Sequence, residues 1–96
     1  MTCKIILEIK VQPEHVGDVL ETIGDQLPAT RDREGCIEVY AYQDQDDPTT
    51  IVAIQEWEMR EQYEDYFEWR GKRGDLDTLR QWVTQPISLR FFDKKA

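Results

Sequence analysis

The chain has 96 residues, enough for one domain (1–96) with a limited core. Its 20 acidic side chains outweigh 12 basic ones, and the net charge of -8 opposes nucleic acid and anionic membrane surfaces, which both need clustered cations. Hydrophobic residues at 40% let the chain collapse and exclude a disordered tail.

Residues 3–11 alternate, with Ile5, Leu7, Ile9 and Val11 on one side and Lys4, Ile6, Glu8 and Lys10 on the other. That period predicts a strand with one buried face. Pro13 suits the first turn of a helix, with Glu14 favourable at its positive end. Val16, Val19, Leu20, Ile23 and Leu27 form its apolar stripe, and Pro28 predicts a kink or an end there. A further turn is expected through Arg31–Arg33 before Gly35.

A hairpin follows. Ile37, Val39 and Ala41 are expected on one face, with Cys36, Glu38, Tyr40 and Tyr42 on the other. An Asp-rich turn from Gln43 to Thr50 leads into Ile51–Trp57, whose run of Ile51, Val52, Ala53 and Ile54 predicts burial on both faces. A second helix spans Arg60–Arg70, with Met59, Tyr63, Tyr66, Phe67 and Arg70 on one side. Gly71 and Gly74 break it, Asp75 is expected to cap a short helix using Leu76, Leu79 and Val83, and Arg70, Lys72 and Arg73 read as a solvated basic turn. A last strand covers Ile87–Phe92.

The order β-α-β-β-α-β predicts an α+β, ferredoxin-like fold: two helices on one face of a four-stranded antiparallel sheet. The other face is not convincingly polar, since Ile6, Tyr40, Tyr42 and Phe92 can lie there. A homodimer meeting face to face would cover it; the alternative is a monomer with scattered surface aromatics. No run reaches the ~20 apolar residues of a membrane span. Glu8 and Lys10 interrupt any secretory h-region, and Cys3 and Cys36 lack metal-ligand spacing. The expectation is a cytoplasmic protein with reduced thiols, a Cys3–Cys36 disulfide being open only if the first two strands align.

Thr30-Arg31, Glu34-Gly35-Cys36, Tyr40, Asp46-Asp47-Pro48 and Glu56-Trp57-Glu58, in this order on this strand plan, resemble the antibiotic biosynthesis monooxygenase (ABM) family of dimeric α/β barrels. The resemblance runs over almost the whole chain. It implies the fold and the dimer, and an activity drawn from a varied group: cofactor-free monooxygenases of quinols and polycyclic phenols, haem-degrading enzymes, and proteins of unknown role. Many members carry a His about nine residues after the Glu-Trp pair, where this chain has Tyr66. That departure disfavours haem ligation and removes the usual base.

Cofactor-free oxygenation needs a dry apolar pocket, a base and a few orienting polar groups. Tyr66 is the first catalytic candidate, as a hydrogen-bond partner of a substrate phenol; its bland reading is a core aromatic with its hydroxyl at the rim. His15, the sole histidine, is the second catalytic candidate and otherwise a surface residue. Trp57, Tyr63 and Phe67 are candidate substrate contacts, and Trp69 with Arg70 a candidate cation–π or anion-binding corner; packing and solvated helix-end roles compete. Glu56 reads as a buried base or a dimer ion pair. No metal cluster, phosphate loop or nucleophile constellation is present, and no cofactor is implied. Two functions stay open. One is oxidation of a small aromatic compound, quinol- or polyphenol-like, with O2; the other is a non-catalytic ligand-binding or interaction dimer on the same fold.

Overall fold

A computed structural model describes all residues 1–96. Strand β1 (Cys3–Lys10) leads through a 3-10 turn (Pro13–His15) into helix α1 (Val16–Arg31). The hairpin β2 (Cys36–Gln43) and β3 (Thr50–Trp57), helices α2 (Arg60–Lys72) and α3 (Asp75–Arg80), and strand β4 (Ser88–Phe92) complete the chain. The sheet is antiparallel throughout in the order β2-β3-β1-β4. This is the ferredoxin-like plan, with both long helices on one face. No helix is long and apolar enough to cross a membrane.

Period two divides the sheet cleanly. Cys3, Ile5, Leu7 and Ile9 stand beside Trp57, Gln55, Ala53 and Ile51 on the helix face. Under α1, Ile9, Val11, Val19, Ile23 and Ile51 join Leu79 of α3 in one core; under α2, Cys3, Ile5, Trp57, Tyr63 and Tyr66 form a second. The opposite face carries Lys4, Ile6 and Glu8 beside Glu56, Ile54 and Val52, with Tyr40, Tyr42 and Phe92 exposed. Only one face of β3 is therefore buried within the chain; Val52 and Ile54 remain half-exposed.

Three other expectations need correction. Helix α1 does not end at Pro28 but continues to Arg31. Asp32 N–H returns to the Pro28 carbonyl at 3.2 Å, and the Gln26 carbonyl, one turn before the helix ends, is drawn into bonds from outside its own backbone. A β-bulge at the start of β2 shifts the register between Cys36 and Glu38. It turns Cys36 onto the helix face beside Trp57 and leaves Ile37 exposed, because a bulge places two residues opposite one. Gly74, at φ +86°, precedes α3, so Asp75 is its first residue rather than its cap, and Val83 lies beyond the helix in a bridge to Val11. The first two strands do not align: Cys3 and Cys36 flank Trp57 from opposite sides of β3. Two strand spacings, roughly 9.6 Å, exceed the ~7 Å limit between disulfide-linked Cα atoms; both thiols are free.

Candidate functional site

A narrow cavity of about 70 Å³ lies between the sheet and the helices. Its floor is Leu7, Val39, Ala53 and Gln55. Ala53 pairs with Leu7 on one side and Ala41 on the other, so short side chains at mid-sheet leave the space unfilled. Helix α1 contributes Ile23, Gln26, Leu27 and Thr30 to one wall, and α2 contributes Tyr63, Tyr66, Phe67 and Arg70 to the other. Helix α3 closes it with Asp75, Leu76 and Leu79.

A connected polar network joins the three helices around this apolar space. Arg70 is the centre, at only 5% exposure. Its Nε donates to Tyr66 Oη at 2.9 Å, its Nη1 to Asp75 Oδ2 at 3.0 Å, and its Nη2 to the Gln26 carbonyl at 3.0 Å and Thr30 Oγ1 at 3.2 Å. Thr30 Oγ1 itself bonds the Gln26 carbonyl at 3.2 Å and lies 2.6 Å from Tyr66 Oη. With Thr30 donating to Gln26, the Tyr66 hydroxyl donates to Thr30 and accepts from Arg70. One lone pair of Tyr66 remains for a ligand. No buried side-chain polar atom lacks a partner, as a stable buried network requires.

Charge follows from this arrangement. Burial pulls Arg70 toward neutrality, but hydrogen bonds to Tyr66 and Asp75 and their charges outweigh it, so its affinity for the proton rises. Asp75 Oδ2 is shared with Arg73 Nε at 3.2 Å. Burial pushes the Tyr63 hydroxyl well above its ordinary value, the neighbouring Tyr66 adds to the shift, and a hydrogen bond with Gln55 opposes it. Tyr63 therefore stays a neutral phenol at any working pH.

The structure gathers four of the seven sequence candidates at this cavity: Tyr63, Tyr66, Phe67 and Arg70. Arg70 is thereby removed from the solvated basic turn predicted for it. Trp57 is wholly buried behind the wall, packed on Tyr63 and Tyr66 with ring centroids 5.5 and 5.3 Å away, and its indole N–H donates to Gln55 Oε1 at 2.9 Å. Trp69 lies outside the cavity, with the guanidinium groups of Arg33, Arg70 and Arg73 each 4.9 Å from its ring. His15 is remote from it, bonded to Asp18 at 2.9 Å and stacked on Trp82. Glu56 faces the open side of the sheet, bonded to Thr2 and 3.6 Å from Lys4. Sequence reasoning missed Gln26, Thr30, Gln55 and Asp75 as lining residues. Gln55 carried a signal: it is the polar residue in the buried phase Ile51, Ala53, Gln55, Trp57.

Fold and cavity define an α+β ferredoxin-like protein with an apolar chamber between sheet and helices. The sequence profile of the antibiotic biosynthesis monooxygenase family matches residues 2–71, and the chain belongs to that family. A conserved protein from Methanosarcina mazei Go1 superposes with a TM-score of 0.90 at 18% identity, covering 99% of this chain and 94% of that one. A structure described as an antibiotic biosynthesis monooxygenase gives 0.88 at 21% identity, covering 98% and 99%. Rv0793 from Mycobacterium tuberculosis gives 0.82 at 15%, covering 100% and 97%. At such identities the likeness is one of fold. No curated protein matches the sequence.

Proposed function

We propose that this protein is a cytoplasmic homodimer that oxidises a small aromatic hydroxy compound with O2 and without a bound cofactor, in the cavity closed by α3. The observation that carries this reading is the pairing of an apolar chamber with a polar network centred on Arg70 and Tyr66. A substrate hydroxyl donates to the remaining lone pair of Tyr66. The anion left by deprotonation is stabilised by the fixed guanidinium of Arg70, whose dry surroundings strengthen the attraction. Asp75, the one carboxylate lining the cavity, takes the proton when the substrate hydroxyl turns from Tyr66 toward Oδ1, the carboxylate oxygen that neither Arg70 nor Arg73 holds. The substrate itself is the reductant: an activated ring carbon gives its electrons to O2 and forms a C–O bond. The resulting peroxide then breaks its O–O bond, leaving one oxygen in a carbonyl and the other in water. His15 has no part in this reading, because it lies away from the cavity. The two free cysteines suit a reducing compartment.

The second reading, ligand binding without turnover, is favoured by the closed network itself: Tyr66, Thr30 and Arg70 satisfy one another with no substrate present. O2 consumption across a panel of quinols and polyphenols separates the two. Turnover by the native protein, lowered in Tyr66→Phe and lost in Ala53→Phe, which fills the chamber, supports oxidation. No uptake with any compound, together with binding abolished by Ala53→Phe, gives the second reading.

A further inference from the structure

The cavity holds about 70 Å³, roughly half the ~150 Å³ of an apolar cavity that takes up benzene. A ring-sized ligand therefore enters this chamber only when a lining side chain moves aside and yields its own volume. The room for that movement is adjacent. An open groove of about 590 Å³ runs outside α2, lined by Phe67, Val83, Pro86, Ile87 and Leu89, with Arg80 at its edge. No acidic residue lines it, in a chain of net charge -8. Phe67 is the one side chain common to cavity and groove.

Phe67 is a weakly held partition. It is half-buried, and its ring contacts Tyr63 in a near-parallel stack at 5.9 Å with no polar atom to anchor it. Side chains that reach solvent change rotamer on a fast timescale, and the groove provides an apolar place for the ring to go. Tyr63 behind it is fixed by contacts with Trp57, Tyr66 and Phe91, so the movable part of this wall is Phe67 alone.

Resting on the reading of the cavity as a ligand site, we propose that cavity and groove are two halves of one site, and that Phe67 divides them and sets the length of ligand admitted. The hydroxylated ring enters the chamber against Tyr66 and Arg70, and an apolar extension lies in the groove. The ligand class is a fused or extended aromatic, neutral or anionic, longer than a single ring.

The test is binding of 2-naphthol, followed by tryptophan fluorescence, to the native protein, Phe67→Ala, Phe67→Leu and Ala53→Phe, with far-UV circular dichroism to verify folding. A partition open about a tenth of the time weakens apparent affinity about tenfold, so Phe67→Ala is expected to bind about tenfold tighter than native. Phe67→Leu moves in the same direction by less and serves if the alanine variant unfolds. Ala53→Phe, which fills the chamber but spares the groove, is expected to lose binding. If Ala53→Phe destroys binding but both Phe67 variants bind like the native protein, the ligand reading stands and the partition is overturned. Equal binding by Ala53→Phe and native protein overturns the joined site. Absence of binding to every folded variant removes the ligand reading and this inference together.

Discussion

Arg70 shows how a buried cation is tolerated in a small acidic protein. Its five donors form a planar fork, and this fork meets a phenol, a hydroxyl, a helix carbonyl and a carboxylate drawn from α1, α2 and α3. Removing it leaves Asp75 with Arg73 alone and strips Tyr66 of its donor. Arg70→Met is expected to cost about 3 kcal/mol, the low end for breaking a buried pair, because Asp75 keeps one partner and some solvent. Tyr66→Phe should cost about 1–2 kcal/mol through the unmet Nε donor. The double variant should lose less than the two together, since both remove the same bond. Urea unfolding at neutral pH measures all three; strict additivity would show that the Arg70–Tyr66 bond contributes nothing.

At the scale of elements, two turns hold the hairpin that feeds the site. Gly35 sits at φ +94°, and an added Cβ would come within 2.1 Å of Gln62 Oε1. That oxygen cannot simply withdraw, because it accepts from Met59 N–H at the start of α2. Gly35→Ala therefore combines backbone strain with loss of a helix-start bond, and is expected to lower stability by about 2–3 kcal/mol in urea melts. At the other end of the hairpin, Asp47 accepts from Thr49 Oγ1 and N–H and from Thr50 Oγ1. Those bonds, led by the Thr49 hydroxyl, lower its carboxyl to about 2. A depressed carboxyl stabilises the fold above its unfolded value, near 4, and that contribution fades as pH falls toward 2. Asp47→Asn should thus flatten the loss of stability between pH 4 and 2 relative to the native protein, read from unfolding midpoints; parallel curves would contradict the assignment. These elements also show what sequence pattern can and cannot carry. Strand phase was legible because one apolar residue in two is a strong, local signal, and it placed Ile5, Ile9 and Ile51 correctly. Pro28 misled because propensity describes a helix alone: in packed α1 the missing Pro28 N–H leaves the Gly24 carbonyl without its helical donor, and the ladder resumes beyond it, Asp32 N–H reaching the Pro28 carbonyl. The bulge at Ile37 had no marker, since its flanking residues alternate as a regular strand would. At the cavity, the aromatic wall of α2 was readable from helical spacing. Thr30 and Asp75 were not, because their meaning comes from Arg70, 40 and 5 residues away in sequence and reachable only once three helices are packed.

For the whole molecule, the decisive feature is the asymmetry of the sheet. Its helix face is covered, while its open face presents Tyr40, Tyr42 and Phe92 around half-exposed Ile6, Val52 and Ile54. Its apolar centre is Ile6, Ile54 and Tyr40 with Val52 and Tyr42; Arg90 borders Ile6 and Glu8 borders Val52, and across one end Lys4 stands 3.8 Å from Glu38 and 3.6 Å from Glu56. Such a surface suits self-association, with apolar residues at the middle and paired ions at the rim. A stable dimer buries roughly 800 Å² on each partner. The proposed homodimer predicts a sedimentation mass about twice the 11.4 kDa of one chain at micromolar concentration. Ile54 is the residue to change, since it lies mid-face between Ile6 and Tyr40 and touches neither core. Ile54→Glu would bring like charges from two copies together beside Glu38 and Glu56, yet leave the monomer's core intact. The variant is expected to sediment as a folded monomer with an unchanged circular dichroism spectrum. If the native protein already sediments as a monomer, the sheet face is a tolerated apolar surface and the chamber under α3 must work within a single chain.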